Sequence, residues 1–387
     1  MKRRRELDSL RGIAAFSVLG YHILATNFPI LAVGVALGPV GPLAAIAVYS
    51  PLHIMWLGAE SVWFFFVLSG FVLTRSAMRP DFSWMAYYPS RIVRLYLPVA
   101  FAVGLAWLTY RVPHIARPGL DPLLPTDYTP TGVLQDLTLL GGTTNSLGVL
   151  WSLQWEVVFS LLLPIYVLLV RSRPLPAAIV AVVGCMLGWN LGGAVLTYLP
   201  MFFIGGLLAQ YWPLIQKRFA GLTAAGWRAN VLGTALTAAG ILAILSFFML
   251  GPVLKAFFDP RTLTLPLVLA GIVIIVITAQ LWAPLSRLLS TRLLVAAGTI
   301  SFSLYLVHLP VVVLFAFILP LGPVNAVISA VVSVILAVGF YFAVERPSHR
   351  LSRTIASRIR ATEQRETALR ESRADDDVLA NEAAERS

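Results

Sequence analysis

The sequence predicts an all-α protein, a polytopic bundle of about ten transmembrane helices with both termini on the cytoplasmic side. Three observations carry that reading. Hydrophobic residues fill 58 % of the 387 positions and charged residues only 12 %, and the mean hydropathy is +0.82. A soluble chain carries roughly a quarter charged residues, so this one could not cover its surface with polar groups, and lipid is its expected solvent. The apolar residues gather into stretches of about 20, the length a helix needs to cross the hydrocarbon core. The basic residues fall between these stretches in the alternation that a positive-inside topology demands.

In chain order the stretches lie near 10–29, 57–75, 95–112, 148–170, 175–191, 194–212, 230–250, 263–283, 293–318 and 323–343. The basic start, Met-Lys-Arg-Arg-Arg, resembles a signal peptide. No small-residue cleavage site follows, so the first stretch reads as a retained span. Segment 30–56 is apolar too, but Pro29, Pro39, Pro42 and Pro51 break it. Proline removes a backbone donor and clashes with the preceding turn, which makes this a re-entrant or surface segment rather than an eleventh span. With the N-terminus inside, that terminus and the cytoplasmic loops hold sixteen of the 29 Lys and Arg, the outer loops four and the stretch from Glu345 to the end nine. The net charge of +11 therefore lines one membrane face, and no nucleic-acid partner is expected. Residues 1–347 read as the transmembrane domain. Residues 348–387 read as a charged cytoplasmic tail, a juxtamembrane helix followed by disorder. The longest outer loop, about 113–147, is long enough to form a lid. Cys185 is the one cysteine and reads as a buried filler.

Ionisable groups inside spans are costly and more often functional than those in a soluble core. Arg11 and His22 are eleven residues apart, so they face the same way, roughly 16 Å apart along the helix axis. Snorkelling and packing would account for them; equally, His22 suits a general base, since imidazole exchanges protons near neutrality. Glu156 sits in Trp-Ser-Leu-Gln-Trp-Glu near the outer part of its span and needs a partner there. Ser301, Tyr305 and His308 share a face at i, i+4, i+7, and the small residues at 296–303 also permit close helix packing. Arg91 and Arg94 lie three apart before the third span, as ordinary positive-inside charge or as a phosphate-binding pair. Glu60 opens the second span, with Ser69 and Gly70 deeper, and Glu345 ends the last. There is no Walker loop, dinucleotide fingerprint or His/Cys metal spacing, and Gly-x-Ser-x-Gly is absent. No ATP, metal or esterase-like serine chemistry is indicated, and no permanently bound cofactor is expected.

Six segments, in this order, resemble the membrane acyltransferase-3 family. They are Leu7-Asp8-Ser9-Leu10-Arg11-Gly12 with His22 after ten intervening residues, Trp63 to Phe71, Arg91-Ile92-Val93-Arg94, Trp151-Ser152-Leu153 with Glu156, Ser301 to His308, and Glu345-Arg346-Pro347. Each is weak alone; together they run from residue 7 to 347. The resemblance implies a ten-helix O-acyltransferase of the cell membrane that takes its acyl group from acyl-CoA, usually acetyl-CoA. It implies that His22 is catalytic, with Arg11 in support, and that Arg91 and Arg94 form the donor-side motif. The implied acceptor is a hydroxyl of an envelope glycan or other carbohydrate, with a small secreted molecule such as a macrolide as the alternative. Glu156 joins the expected catalytic set, and His308, Ser69, Glu60 and Tyr305 the acceptor side. From another class, a proton-coupled transporter would also bury His and Glu, but no inverted repeat is visible.

Overall fold

A computed structural model describes residues 5–113, 127–224 and 226–385, and among these every regular element is helical. The helices are α1 (Arg5–Asn27), α2 (Pro29–Val35), α3 (Pro42–Tyr49), α4 (Ala59–Ala77), α5 (Trp84–Thr109), α6 (Pro130–Thr138), α7 (Leu150–Ser172), α8 (Pro174–Asn190), α9 (Ala194–Gln210) and α10 (Trp212–Arg218). They continue as α11 (Trp227–Ile244), α12 (Ser246–Leu254), α13 (Arg261–Leu281), α14 (Ala283–Leu289), α15 (Arg292–Thr299), α16 (Ser301–Ile318), α17 (Pro323–Phe340) and α18 (Arg346–Glu385).

The all-α membrane bundle is what the sequence predicted. Helices α5, α7, α11, α13, α16 and the continuous rod from α17 into α18 are each long and apolar enough to cross a membrane, which makes six. Two bent pairs, α1 with α2 at 118° and α9 with α10 at 63°, raise the number to eight if each counts as one span. Helix α4, at 19 residues, and α8, at 17, occupy the two remaining predicted stretches. Outward-facing Leu168, Val180, Val324 and Ile335 are 64 %, 69 %, 72 % and 65 % exposed, an apolar coat suited to lipid. Segment 30–56 forms α2, α3 and a 3-10 turn (Pro51–Trp56), none of them long enough to span.

Two further details position the site. Within the 113–147 loop, 114–126 lie outside the described residues, as do the basic residues Lys2, Arg3 and Arg4. The rest folds around buried Asp136, whose carboxylate accepts from Tyr128 Oη (2.7 Å) and from the backbone N–H (2.6 Å) and Oγ1 (2.7 Å) of Thr144. The chain then dives into the bundle, so that α7 starts among fully buried residues, Leu147, Val149 and Leu150. At the other end, a π-helical turn (Tyr341–Glu345) joins α17 to α18. The extra residue of such a turn re-aims side chains, and here it turns Glu345 inward.

Glycine sets the closest helix contact. Helices α4 and α9 touch backbone to backbone, and a Cβ on Gly205 would lie 2.0 Å from the Val67 carbonyl oxygen. Neither backbone can yield. Gly205→Ala is expected to destabilise the fold by about 1–3 kcal/mol, the range for overpacking. Thermal melting of the detergent-solubilised protein, followed by size-exclusion chromatography, reads this as a lowered melting temperature.

Candidate active site

A cavity of about 470 Å³ opens between α1, α4, α5, α7, α16 and α18. Arg11, Arg91, Arg94, Arg346 and Arg353 line it, the last three exposed, and Phe66, Ser152 and Tyr305 form the buried part of its wall beside Phe65 and Ser69. The segments that stood out in the sequence build it. In α1, Ser9 Oγ donates to the Leu289 carbonyl (2.5 Å), and Gly12 lies so close to α15 that a Cβ would meet Gly298 N at 2.5 Å. Those two contacts fix the turn that carries Asp8 and Arg11 into the cavity wall. In α16, the N–H and the hydroxyl of Ser303 both donate to Glu345 Oε2, at 3.1 Å and 2.5 Å. The carboxylate thereby caps otherwise unpaired donors in the first turn of α16.

Arg91 is held rather than free. Its Nε donates to Ser160 Oγ (3.1 Å), and its guanidinium pairs with the Glu156 carboxylate. The sequence placed Glu156 near the outer part of its span; the structure gives it Arg91 as its partner. The reason is the buried start of α7. A helix that begins inside the bundle carries residue 156, nearly two turns on, into the basic cavity. Arg94 is exposed to the cavity and makes no ion pair among the described residues.

His22 and His308 meet across α1 and α16. His308 is completely buried and donates from Nδ1 to the Leu304 carbonyl (2.8 Å). Its Nε2 must then be the acceptor, and it lies 3.2 Å from His22 Nδ1. His22 Nδ1 is also 3.0 Å from the Val18 carbonyl, which can only accept. Assigned from this network, the proton of His22 sits on Nδ1. Its Nε2 keeps a lone pair and has no partner among the described residues, and the ring is only half-buried. Neither histidine lines the cavity. Tyr305 does, with its ring centroid 6.0 Å from that of His308 and its hydroxyl held by Ser152 Oγ (2.7 Å) and the Val149 carbonyl (3.1 Å).

Residues 4–344 match the family described as an acyltransferase domain. The chain belongs to the acyltransferase-3 family. Acyltransferase MdmB of Streptomyces mycarofaciens is 31 % identical over 185 residues, which cover 44 % of this chain and 41 % of that one, so the chain spans less than half the length of this relative. No solved structure matches.

Of the residues singled out in the sequence, Arg11, Ser69, Arg91, Arg94, Glu156 and Tyr305 share the cavity, and His22 and His308 lie together beyond Tyr305. Glu60, expected on the acceptor side, does not line the cavity. It is buried and bonds Arg261 (2.6 Å), whose guanidinium is enclosed by Trp63, Trp189 and Phe247. Asp8, His349, Arg346 and Arg353 line the cavity without having been predicted there. Asp8 and Arg346 belong to the segments Leu7–Gly12 and Glu345–Pro347, which carry a signal for them in the sequence. His349 and Arg353 read as tail charge until α18 is seen folding back along α5.

Proposed function

We propose that this acyltransferase moves an acyl group, acetyl by default, from acyl-CoA to a hydroxyl of a carbohydrate acceptor in the cell membrane. The observation that carries the reading is the His22 lone pair, fixed by His308 and set one residue beyond an arginine-lined cavity. Acyl-CoA enters with its phosphates at the arginines and its thioester toward Tyr305. For the thioester to reach His22 the Tyr305 ring must give way, and two hydrogen bonds hold its hydroxyl. His22 Nε2 takes the acceptor hydroxyl proton as that oxygen attacks the thioester carbonyl. The C–O bond forms, the C–S bond breaks, and the thiolate leaves and receives the proton from the imidazolium. While that charge exists, Nδ1–H donates to His308 and the Val18 carbonyl, so the ring does not have to turn. A covalent acyl-histidine is not needed.

The test supplies radiolabelled acetyl-CoA to membranes holding the full chain. Label is expected in an alkali-labile ester of the carbohydrate fraction. Absence of any labelled product, together with proton-driven solute uptake, would replace this reading with the transporter.

A further inference from the structure

The family match ends at residue 344, yet the helix that follows builds part of the cavity. We propose that α18 supplies the clamp for the nucleotide end of the donor, with Arg353 on the 3′-phosphate and Arg346, together with Arg94 of α5, on the diphosphate. The proposal rests on the reading of acyl-CoA as donor.

Placement is the first argument. Ser348 Oγ donates to the Val93 carbonyl (2.9 Å) and Ser352 Oγ to the Ser90 carbonyl (2.7 Å). These serines are four apart on one face of α18 and bond carbonyls three apart on α5, so the two helices are locked in register beside Arg94. Arg346 and Arg353 flank the locked turn and both line the cavity. Seven residues make about two turns, so their Cα atoms lie about 10 Å apart on one side of the helix. That spacing suits two separate phosphate groups on one ligand.

Charge is the second argument. Two acids of the wall already have partners, Glu156 in Arg91 and Glu345 in the two donors of Ser303. Arg94, Arg346 and Arg353 form no ion pair among the described residues. Arg346 lies against the Phe342 ring, 5.7 Å from its centroid, and Arg353 Nε is bonded only to the carbonyl of His349 in its own helix (3.2 Å). Three guanidinium forks left over at one opening are suited to phosphate oxygens, which they bind bidentately. Order along the chain completes the assignment. The thioester end points to Tyr305, and in CoA the diphosphate is nearer the thioester than the 3′-phosphate is. Arg353, the farther along α18, therefore meets the 3′-phosphate.

The experiment titrates the full chain in neutral-lipid nanodiscs with CoA, 3′-dephospho-CoA and pantetheine. Wild-type affinity is expected to fall at each removal of phosphate, by about 10-fold or more, the worth of one charge-assisted contact. Arg353→Gln is expected to weaken CoA about 10-fold and leave dephospho-CoA unchanged. Arg346→Gln is expected to weaken both alike. Arg358→Gln, exposed on the same helix outside the cavity, serves as the charge control and should change neither. Wild-type affinity for CoA in both cavity variants would overturn the clamp, as would Arg353→Gln weakening CoA and dephospho-CoA equally. Unchanged CoA binding with loss of binding to phosphatidylglycerol vesicles would overturn it in favour of a lipid headgroup. A wild-type protein that binds none of the three probes would instead remove the donor reading itself.

Discussion

His22→Ala is expected to lower acyl transfer by about 10²–10⁴-fold, the usual contribution of a positioned general base, while leaving CoA affinity unchanged. The split follows from the geometry. Neither histidine lines the arginine cavity, so the donor's nucleotide end does not sense the substitution. His22 is half-buried at the junction of α1 and α16 and among the described residues bonds only Val18 and His308, so the fold survives its truncation. His308→Ala gives a second readout. It leaves the His22 base in place but removes one of the two acceptors of Nδ1–H, so the Val18 carbonyl alone holds the ring and its orientation loosens. Activity should fall by a smaller factor than in His22→Ala, and the double variant should be no worse than His22→Ala alone. Activity retained in folded His22→Ala membranes would end the assignment. Multiplicative losses in the double variant would mean that the two histidines act separately.

The bundle was legible because lipid imposes a crude rule: length and apolarity suffice to find a span. What the rule cannot see is where a helix starts in depth. Residue 148 began the fourth predicted span correctly to within two positions, yet that start is buried rather than at the surface. Glu156 reaches Arg91 as a result. The site residues were legible to the extent that they interrupt apolar stretches, as Arg11 and Tyr305 in the cavity and His22 and His308 beyond it do. Arg353 and His349 interrupt nothing, since the tail around them is already charged. Only the Ser348 and Ser352 bonds to α5 give them a place, and serine-to-carbonyl bonds leave no pattern in a single sequence.

Glu60 is where an intramembrane carboxylate reads as functional and the structure offers a different account. Its side chain is 1 % exposed, and it donates nothing to the cavity; it neutralises Arg261, itself 9 % exposed. The guanidinium lies 3.4 Å from the centre of the Phe247 ring and 5.0 Å from that of Trp63. Cation–π attraction contributes about 2 kcal/mol in such desolvated settings, which does not replace a counter-ion. Removing one partner of a buried pair leaves a bare charge and costs about 3–5 kcal/mol. Glu60→Leu is therefore expected to lower the melting temperature more than any other single change considered, while the folded fraction keeps its acyl-transfer rate. Glu60→Leu combined with Arg261→Met should recover most of the loss, because two apolar side chains replace the pair without leaving a charge behind. The measurement is thermal melting of the three proteins beside transfer activity normalised to folded protein. If Glu60→Leu melts like the wild type but loses transfer or acceptor affinity, the carboxylate belongs to the acceptor site and the Arg261 pair is incidental. If the double variant stays as unstable as Glu60→Leu, the stability of this region comes from packing around the side chains rather than from the charge pair.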